Sequence, residues 1–158
     1  MLVLQFYLGD VMYVIKCERV KEVAPMVALK KIPHAPDCVA GLFNYRGMIV
    51  PVIDLRQLIH GTPCQLRFST RIILVDYLRP EHAPYVFGIM AERITEAINK
   101  PEGDFLPPGI IMPNAPYLGG ILMENKAMIQ LIDLDRLSQS LSFLAMFEEG
   151  AAHVIGDH

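Results

Sequence analysis

One stretch of this chain occurs twice. Val39-Ala-Gly-Leu-Phe-Asn-Tyr-Arg-Gly-Met-Ile-Val-Pro-Val-Ile-Asp-Leu55 aligns without a gap with Leu118-Gly-Gly-Ile-Leu-Met-Glu-Asn-Lys-Ala-Met-Ile-Gln-Leu-Ile-Asp-Leu134. Gly41 falls on Gly120, Ile53 on Ile132, Asp54 on Asp133 and Leu55 on Leu134, and most other apolar positions keep their class. A second echo lies upstream, where Glu18-Arg-Val-Lys-Glu-Val23 returns as Glu92-Arg-Ile-Thr-Glu-Ala97. Each half therefore repeats strand, spacer, hairpin and capped helix in one order, as a duplicated unit does. A unit of this length is too short for a large sheet, yet long enough for a small barrel whose closure removes exposed edges. The expectation is a mainly β protein of two fused small barrels.

The local signals agree with that architecture. Short apolar runs between Gly and Pro punctuation (Leu2 to Leu8, Val11 to Ile15, Met48 to Ile53, Ile72 to Tyr77, Tyr85 to Met90 and Ala127 to Ile132) read as strands. Asp54 reads as the N-cap of a short helix over Leu55 to His60 that stops at Gly61. A second helix starts at Asp133, with Leu134, Leu137, Leu141 and Leu144 as its apolar stripe. The stretch Pro101 to Pro116 resists regular structure and connects the parts of the second unit. Residues 1–147 read as one domain of two lobes, and residues 148–158 as a short, partly disordered tail.

Composition excludes several functions. With 158 residues and 53% hydrophobic content the chain can bury a sizeable core, and its net charge is -3 with scattered Lys and Arg, so nucleic acid is not an expected partner. Cys17, Cys38 and Cys64 lack disulfide or zinc spacing, which fits a reducing cytoplasm and no metal. No basic leader precedes Met1 to Phe6, and no apolar run reaches the roughly 18 residues of a membrane span. A soluble, cytoplasmic protein without direct membrane insertion is expected.

In a duplicated unit, shared residues report what the fold requires, and polar differences point to function. The copies differ at the hairpin tip, where Asn44-Tyr45-Arg46-Gly47 becomes Met123-Glu124-Asn125-Lys126. Each tip keeps a residue tolerant of positive φ, Gly47 in one and Asn125 in the other. Arg46 is no such requirement. At a turn it exposes a planar, permanent charge able to grip a carboxylate or carbonyls on a partner; the competing reading is a solvated turn arginine.

These residues carry a family resemblance. Phe6-x-Leu8-Gly9-Asp10, Tyr13-x-Ile15, Val20-x-Glu22-Val23, Pro33-x-x-Pro36, Gly41-x-x-Asn44-x-Arg46-Gly47 and Pro51-Val-Ile-Asp-Leu-Arg56 resemble CheW-like coupling domains. The second half follows with Ile72 to Val75, Gly88-Ile89, Leu118-x-Gly120 and Leu131-Ile-Asp-Leu134. The resemblance implies two SH3-like five-stranded β-barrel subdomains with a few short helices. It also implies a non-enzymatic adaptor, without cofactor, between the cytoplasmic tip of methyl-accepting chemoreceptors and the regulatory domain of a CheA-type histidine kinase in membrane-associated arrays. By motif, partner binding carries over to Val20, Glu22, Gly41, Asn44 and Arg46, and to Ile72 and Ala97 in the second unit. Three positions depart from the family: Val14 stands for a glycine, Tyr45 for a leucine, and Ala97 for a branched residue. Tyr45 beside Arg46 would widen an exposed anchor. The departures suit an alternative pathway, controlling pili or a cyclic-di-GMP cyclase. Several of these positions have structural readings too, since Gly41, Val20 and Glu22 have twins in Gly120, Ile94 and Glu96.

Enzymatic arrangements are missing. Asp54 and Asp133 look like paired carboxylates, but each stands at a helix start in its own copy, so capping explains both. The histidines at 34, 60, 82, 153 and 158 form no i,i+4 metal pair and accompany no nucleophile motif. Gly119-Gly120 lacks the rest of a phosphate loop. The alternative function is a generic SH3-like peptide-binding module displaying Tyr45.

Overall fold

Asp54 and Asp133 each end a strand and start a helix. Asp54 accepts the Gln57 amide at 3.1 Å and begins helix α1 (Leu55–His60), which stops at Gly61 with φ 77°. Asp133 accepts the Arg136 amide at 3.0 Å and begins α2 (Leu134–Ser140). Capping is thus the role of both carboxylates. Asp54 does more, because its buried side chain also takes the Cys64 amide at 2.9 Å and ties down the chain after α1. Asp133→Ala should cost about 1 kcal/mol in urea unfolding, and Asp54→Ala about 2 kcal/mol or more, since it leaves a buried amide unpaired.

The computed structural model describes residues 1–66, 69–77 and 85–141. Its ten strands are β1 (Leu2–Leu8), β2 (Val11–Lys16), β3 (Val20–Pro25), β4 (Val39–Tyr45), β5 (Met48–Asp54), β6 (Arg71–Tyr77), β7 (Tyr85–Ala91), β8 (Ala97–Asn99), β9 (Leu118–Glu124) and β10 (Ala127–Ile132), with single 3₁₀ turns at Cys17–Arg19 and Glu102–Asp104. All six apolar runs read as strands are strands. In the second helix Leu134, Leu137 and Leu141 are buried as the stripe requires; Leu144 and the tail from 148 lie outside the described residues.

The strands form two five-stranded sheets, ordered β8-β1-β2-β10-β9 and β3-β6-β7-β5-β4. The first combines both ends of the chain (the terminal lobe), the second its middle (the central lobe). Neither lobe is a contiguous half. The opening hairpin of each unit pairs with the last three strands of the other, so the duplication is strand-exchanged. Register makes the equivalence exact to the residue: parallel β5 and β7 match Val52 to Gly88, and parallel β10 and β2 match Leu131 to Val14. Antiparallel β3 and β6 match Pro25 to Arg71, and β8 and β1 match Asn99 to Leu2.

That equivalence explains one departure from the family pattern. Val14 occupies the place that Gly88 holds in the central lobe. A Cβ at Gly88 would stand 2.7 Å from Ile72 Cγ2. In the terminal lobe the facing residue is the smaller Val3, and Val14 fills the space in a satellite core with Leu122 and Ile129. The two lobes trade volume between paired strands.

The larger core joins the sheets. Phe6, Leu8 and Ile15 of the terminal lobe pack with Ile53, Leu55, Ile73, Phe87 and Ile89 of the central lobe, all fully buried. At about 1.5–3 kcal/mol per large apolar side chain, this shared core holds the two lobes in one folded unit.

The expectation that closure removes the edges is corrected: the hydrogen-bond ladders leave β3 and β4 as edges of one sheet, β8 and β9 of the other. Side chains span the gaps instead, through Arg46–Glu22 (3.3 Å) in the central lobe and Lys100–Glu124 in the terminal lobe. Crossing segments bridge β4 at Lys30–Leu42 and β9 at Leu106–Ile121.

Candidate partner-binding site

The tips of the β4–β5 and β9–β10 hairpins are two-residue turns, since Tyr45 pairs with Met48 and Glu124 with Ala127. Both central residues take positive φ, as a turn matched to strand twist requires: Arg46 at 50° and Gly47 at 87°, Asn125 at 50° and Lys126 at 66°. Two such residues are needed at each tip, not one. Asn tolerates the left-handed region; an arginine there costs about 1 kcal/mol. Arg46 occupies the place where the other copy uses the cheaper residue.

Its surroundings define the site. The Arg46 side chain is 71% exposed, lies 5.0 Å from the Tyr45 ring centroid and reaches Glu22 on β3. Such an exposed pair contributes at most about 1 kcal/mol, so a partner carboxylate could replace Glu22 at little cost. Asn44 turns inward on the tip, its Oδ1 accepting the Gly47 amide at 2.8 Å. Tyr45 is not the exposed aromatic its turn position suggests. Only 7% exposed, it packs edge-on against Phe43, with its hydroxyl beside Glu22. The two edges of the open sheet curl together here, and the ring lies under Arg46.

The other carried-over residues divide. Val20, half-buried, packs on the shared core from the same edge strand as Glu22. Gly41 offers no side chain; a Cβ there would stand 2.7 Å from the Lys30 carbonyl oxygen, whereas at Gly120 the nearest atom, Phe105 Cβ, is 3.1 Å away. Ile72 is fully buried on β6, between β3 and β7, so no partner touches its side chain and a contact role there is corrected to a core role. Ala97 is exposed, but on β8 of the terminal lobe, apart from the tip. The structure brings together Glu22, Asn44, Tyr45 and Arg46. It adds Met48 and Ile49, 41% and 50% exposed beside the tip. They read as ordinary strand residues, and their signal was a pair of apolar side chains on the outward-facing start of β5.

The titratable groups suit a scaffold. Burial pushes the thiols of Cys17, Cys38 and Cys64 up, with Asp54 adding to the effect at Cys64. Cys38 and Cys64 should resist iodoacetamide at pH 8 in the native chain and react fully in guanidinium, as mass spectrometry would show. Among the described residues no cluster of His, Cys, Asp and Glu could hold a metal ion.

Burial and the nearby Arg56 lower the pKa of His60, while burial raises Tyr13 to about 12. The Tyr13 hydroxyl and His60 Nε2 share a hydrogen bond of 2.9 Å. A lowered histidine pKa means the unfolded chain binds more protons, so this stability is present above about pH 6.5 and is lost as pH falls. Thermal midpoints should drop less between pH 7 and 5 in His60→Gln than in the wild type.

Among the described residues no helix is long and apolar enough to cross a membrane. The CheW-like domain family model matches residues 2–142. The chain is 28% identical over 137 residues to a chemotaxis protein CheW of Treponema pallidum (85% of this chain, 80% of that one). It is 26% identical over 133 residues to a chemotaxis protein CheW of Helicobacter pylori (84% and 78%), and 26% identical over 138 residues to Protein FrzA of Myxococcus xanthus (85% and 83%). The crystal structure of scaffolding protein TtCheW from Thermoanaerobacter tengcongensis superposes with a TM-score of 0.72 at 28% identity, covering 84% of each chain. Paired SH3-like lobes, the tip motif and a family match over nearly the whole chain agree: this protein belongs to the CheW-like family of chemotaxis adaptors.

Proposed function

We propose that this protein couples methyl-accepting chemoreceptors to a CheA-type histidine kinase. It would bind the receptors' cytoplasmic tips and the kinase's regulatory domain, without catalysing a reaction, in cytoplasmic arrays beneath the membrane. The observation that carries the site is Arg46: an arginine at φ 50° where asparagine serves the other copy, its guanidinium exposed and loosely paired. Each tip holds one strained non-glycine residue, Arg46 in one and Lys126 in the other, so what singles out Arg46 is its exposed, loosely held guanidinium at the tip where the copies differ. Glu22 would hold the guanidinium ready, and Met48 and Ile49 would supply apolar contact around it.

The tip would receive a partner acid or backbone carbonyl. Departures at Val14 and Tyr45 sit in the interior, so they adjust packing; the pathway proposal, an output through pili or cyclic-di-GMP, then rests on Ala97 and on the relatives' diversity. A generic peptide-binding module is the weaker reading, because the aromatic it would display is buried. Calorimetric titration with a receptor-tip fragment and with the kinase regulatory domain tests the proposal. Binding to both supports it, and binding to neither refutes it.

A further inference from the structure

The chain passes between the lobes twice, and the repeated Glu-Arg dipeptide marks both crossings. From β2 it enters β3 through Cys17–Arg19, and from β7 it enters β8 through residues 92–96. An ion pair from the start of a helix reaches each crossing. Arg56 follows the cap Asp54 by two residues and pairs with Glu92; Asp135 follows the cap Asp133 by two and pairs with Arg19. Arg56 and Asp135 hold the same place in their units, but their partners do not: Glu92 matches Glu18 in the repeat, and Asp135 pairs with the next residue, Arg19.

The latches are unequal. At the second crossing the Glu92 backbone exchanges two hydrogen bonds with Tyr7, at 2.8 and 3.0 Å, and the Arg93 amide donates to Ser69 O at 3.2 Å. The buried Glu92 carboxylate accepts from the Gly9 amide at 2.7 Å, the Gln65 amide at 3.1 Å and Arg56 Nη1 at 3.3 Å. Arg93, at φ 48°, donates to Gly9 O at 2.6 Å and lies 4.0 Å from the Tyr7 ring centroid. Tyr7 and Gly9 belong to the terminal lobe; Arg56, Gln65 and Ser69 belong to the central lobe. One carboxylate thus collects donors from both lobes in a low-dielectric setting, where charge-assisted bonds are strongest.

The first crossing is sparser. Arg19 Nε reaches Asp135 Oδ1 at 3.3 Å, with the side chains 30% and 63% exposed, and water screens such a pair. Among the described residues Glu18 has no backbone bridge matching that of Glu92 and Tyr7.

We infer that the lobes breathe about a pivot at Glu92 and open at the Arg19–Asp135 crossing. Glu92 is then a positioning residue that sets the angle between the two lobes, and regions held by few buried bonds open first.

Pulsed electron–electron resonance on the full chain, with Cys17 replaced by serine, tests this. One spin-label pair at Lys21 and Arg136 flanks the open side, and a second at Asp10 and Thr62 flanks the pivot. The Lys21–Arg136 distance distribution should be about twofold broader than the other. Arg19→Ala should broaden it further while leaving Asp10–Thr62 unchanged, and Glu92→Gln should broaden Asp10–Thr62. Equal widths for the two pairs in the wild type, or a broader Asp10–Thr62 pair, overturns the inference. Arg19→Ala replaces a surface side chain, so that arm stays readable even if Glu92→Gln fails to fold, and no change in it also counts against the pivot.

Discussion

Gly41→Val is expected to destabilise the protein by about 3 kcal/mol or more, enough to unfold much of it at 37 °C. Two effects add. The backbone at Gly41 has φ 149°, where side chains are strained, and a Cβ would stand 2.7 Å from Lys30 O and 2.9 Å from Leu29 Cβ. The crossing segment cannot withdraw, because Lys30 exchanges two 2.8 Å backbone hydrogen bonds with Leu42. Gly47→Ala is the control: its φ of 87° is also unfavourable, but nothing lies within 4 Å, so about 1 kcal/mol is expected. Urea midpoints at constant m-value separate the two. A cost below about 1 kcal/mol for Gly41→Val would show that the Leu29–Lys30 crossing yields easily. The consequence for function is direct: lost binding in a Gly41 variant reports a damaged lobe, not a missing contact.

Arg46→Asn should have the opposite profile. Asparagine accepts the left-handed turn more readily, and the ion pair it removes is exposed, so stability should stay level or rise by up to about 1 kcal/mol. Affinity for at least one partner should fall tenfold or more, about 1.4 kcal/mol. Arg46→Glu sets a second carboxylate beside Glu22 and should weaken the complex further, with a smaller loss at raised salt because screening mutes charge. Unchanged affinity in Arg46→Asn would make Arg46 a solvated turn residue.

Much of this was legible in the sequence wherever one local interaction decides. Asp54 and Asp133 cap because a side-chain oxygen satisfies an amide three residues on. The paired tips were visible from the repeat itself. The strand exchange was not: periodicity marks a strand but carries no information about which hairpin it joins, and β1–β2 could have closed on its own unit as well as on the other. Strand β3 is legible only through the upstream echo and not as an apolar run, since Val20–Pro25 is an edge whose residues alternate between half-buried and exposed. Within the candidate site, motif and copy comparison point to Arg46, Asn44 and Glu22, which the fold places at one tip. Tyr45 and Ile72 were misjudged, because burial there depends on tertiary neighbours: the curl of two edges over Tyr45, and the strands on either side of Ile72.

The most direct test of the coupling role is a three-component binding assay. Wild-type protein and Arg46→Asn are titrated against the kinase regulatory domain and a receptor-tip fragment, with thermal midpoints recorded alongside. The wild type should bind both, and Arg46→Asn should lose at least tenfold for one at an unchanged or higher midpoint. Wild-type protein that binds neither partner, or a variant that binds both as tightly as the wild type, would contradict this.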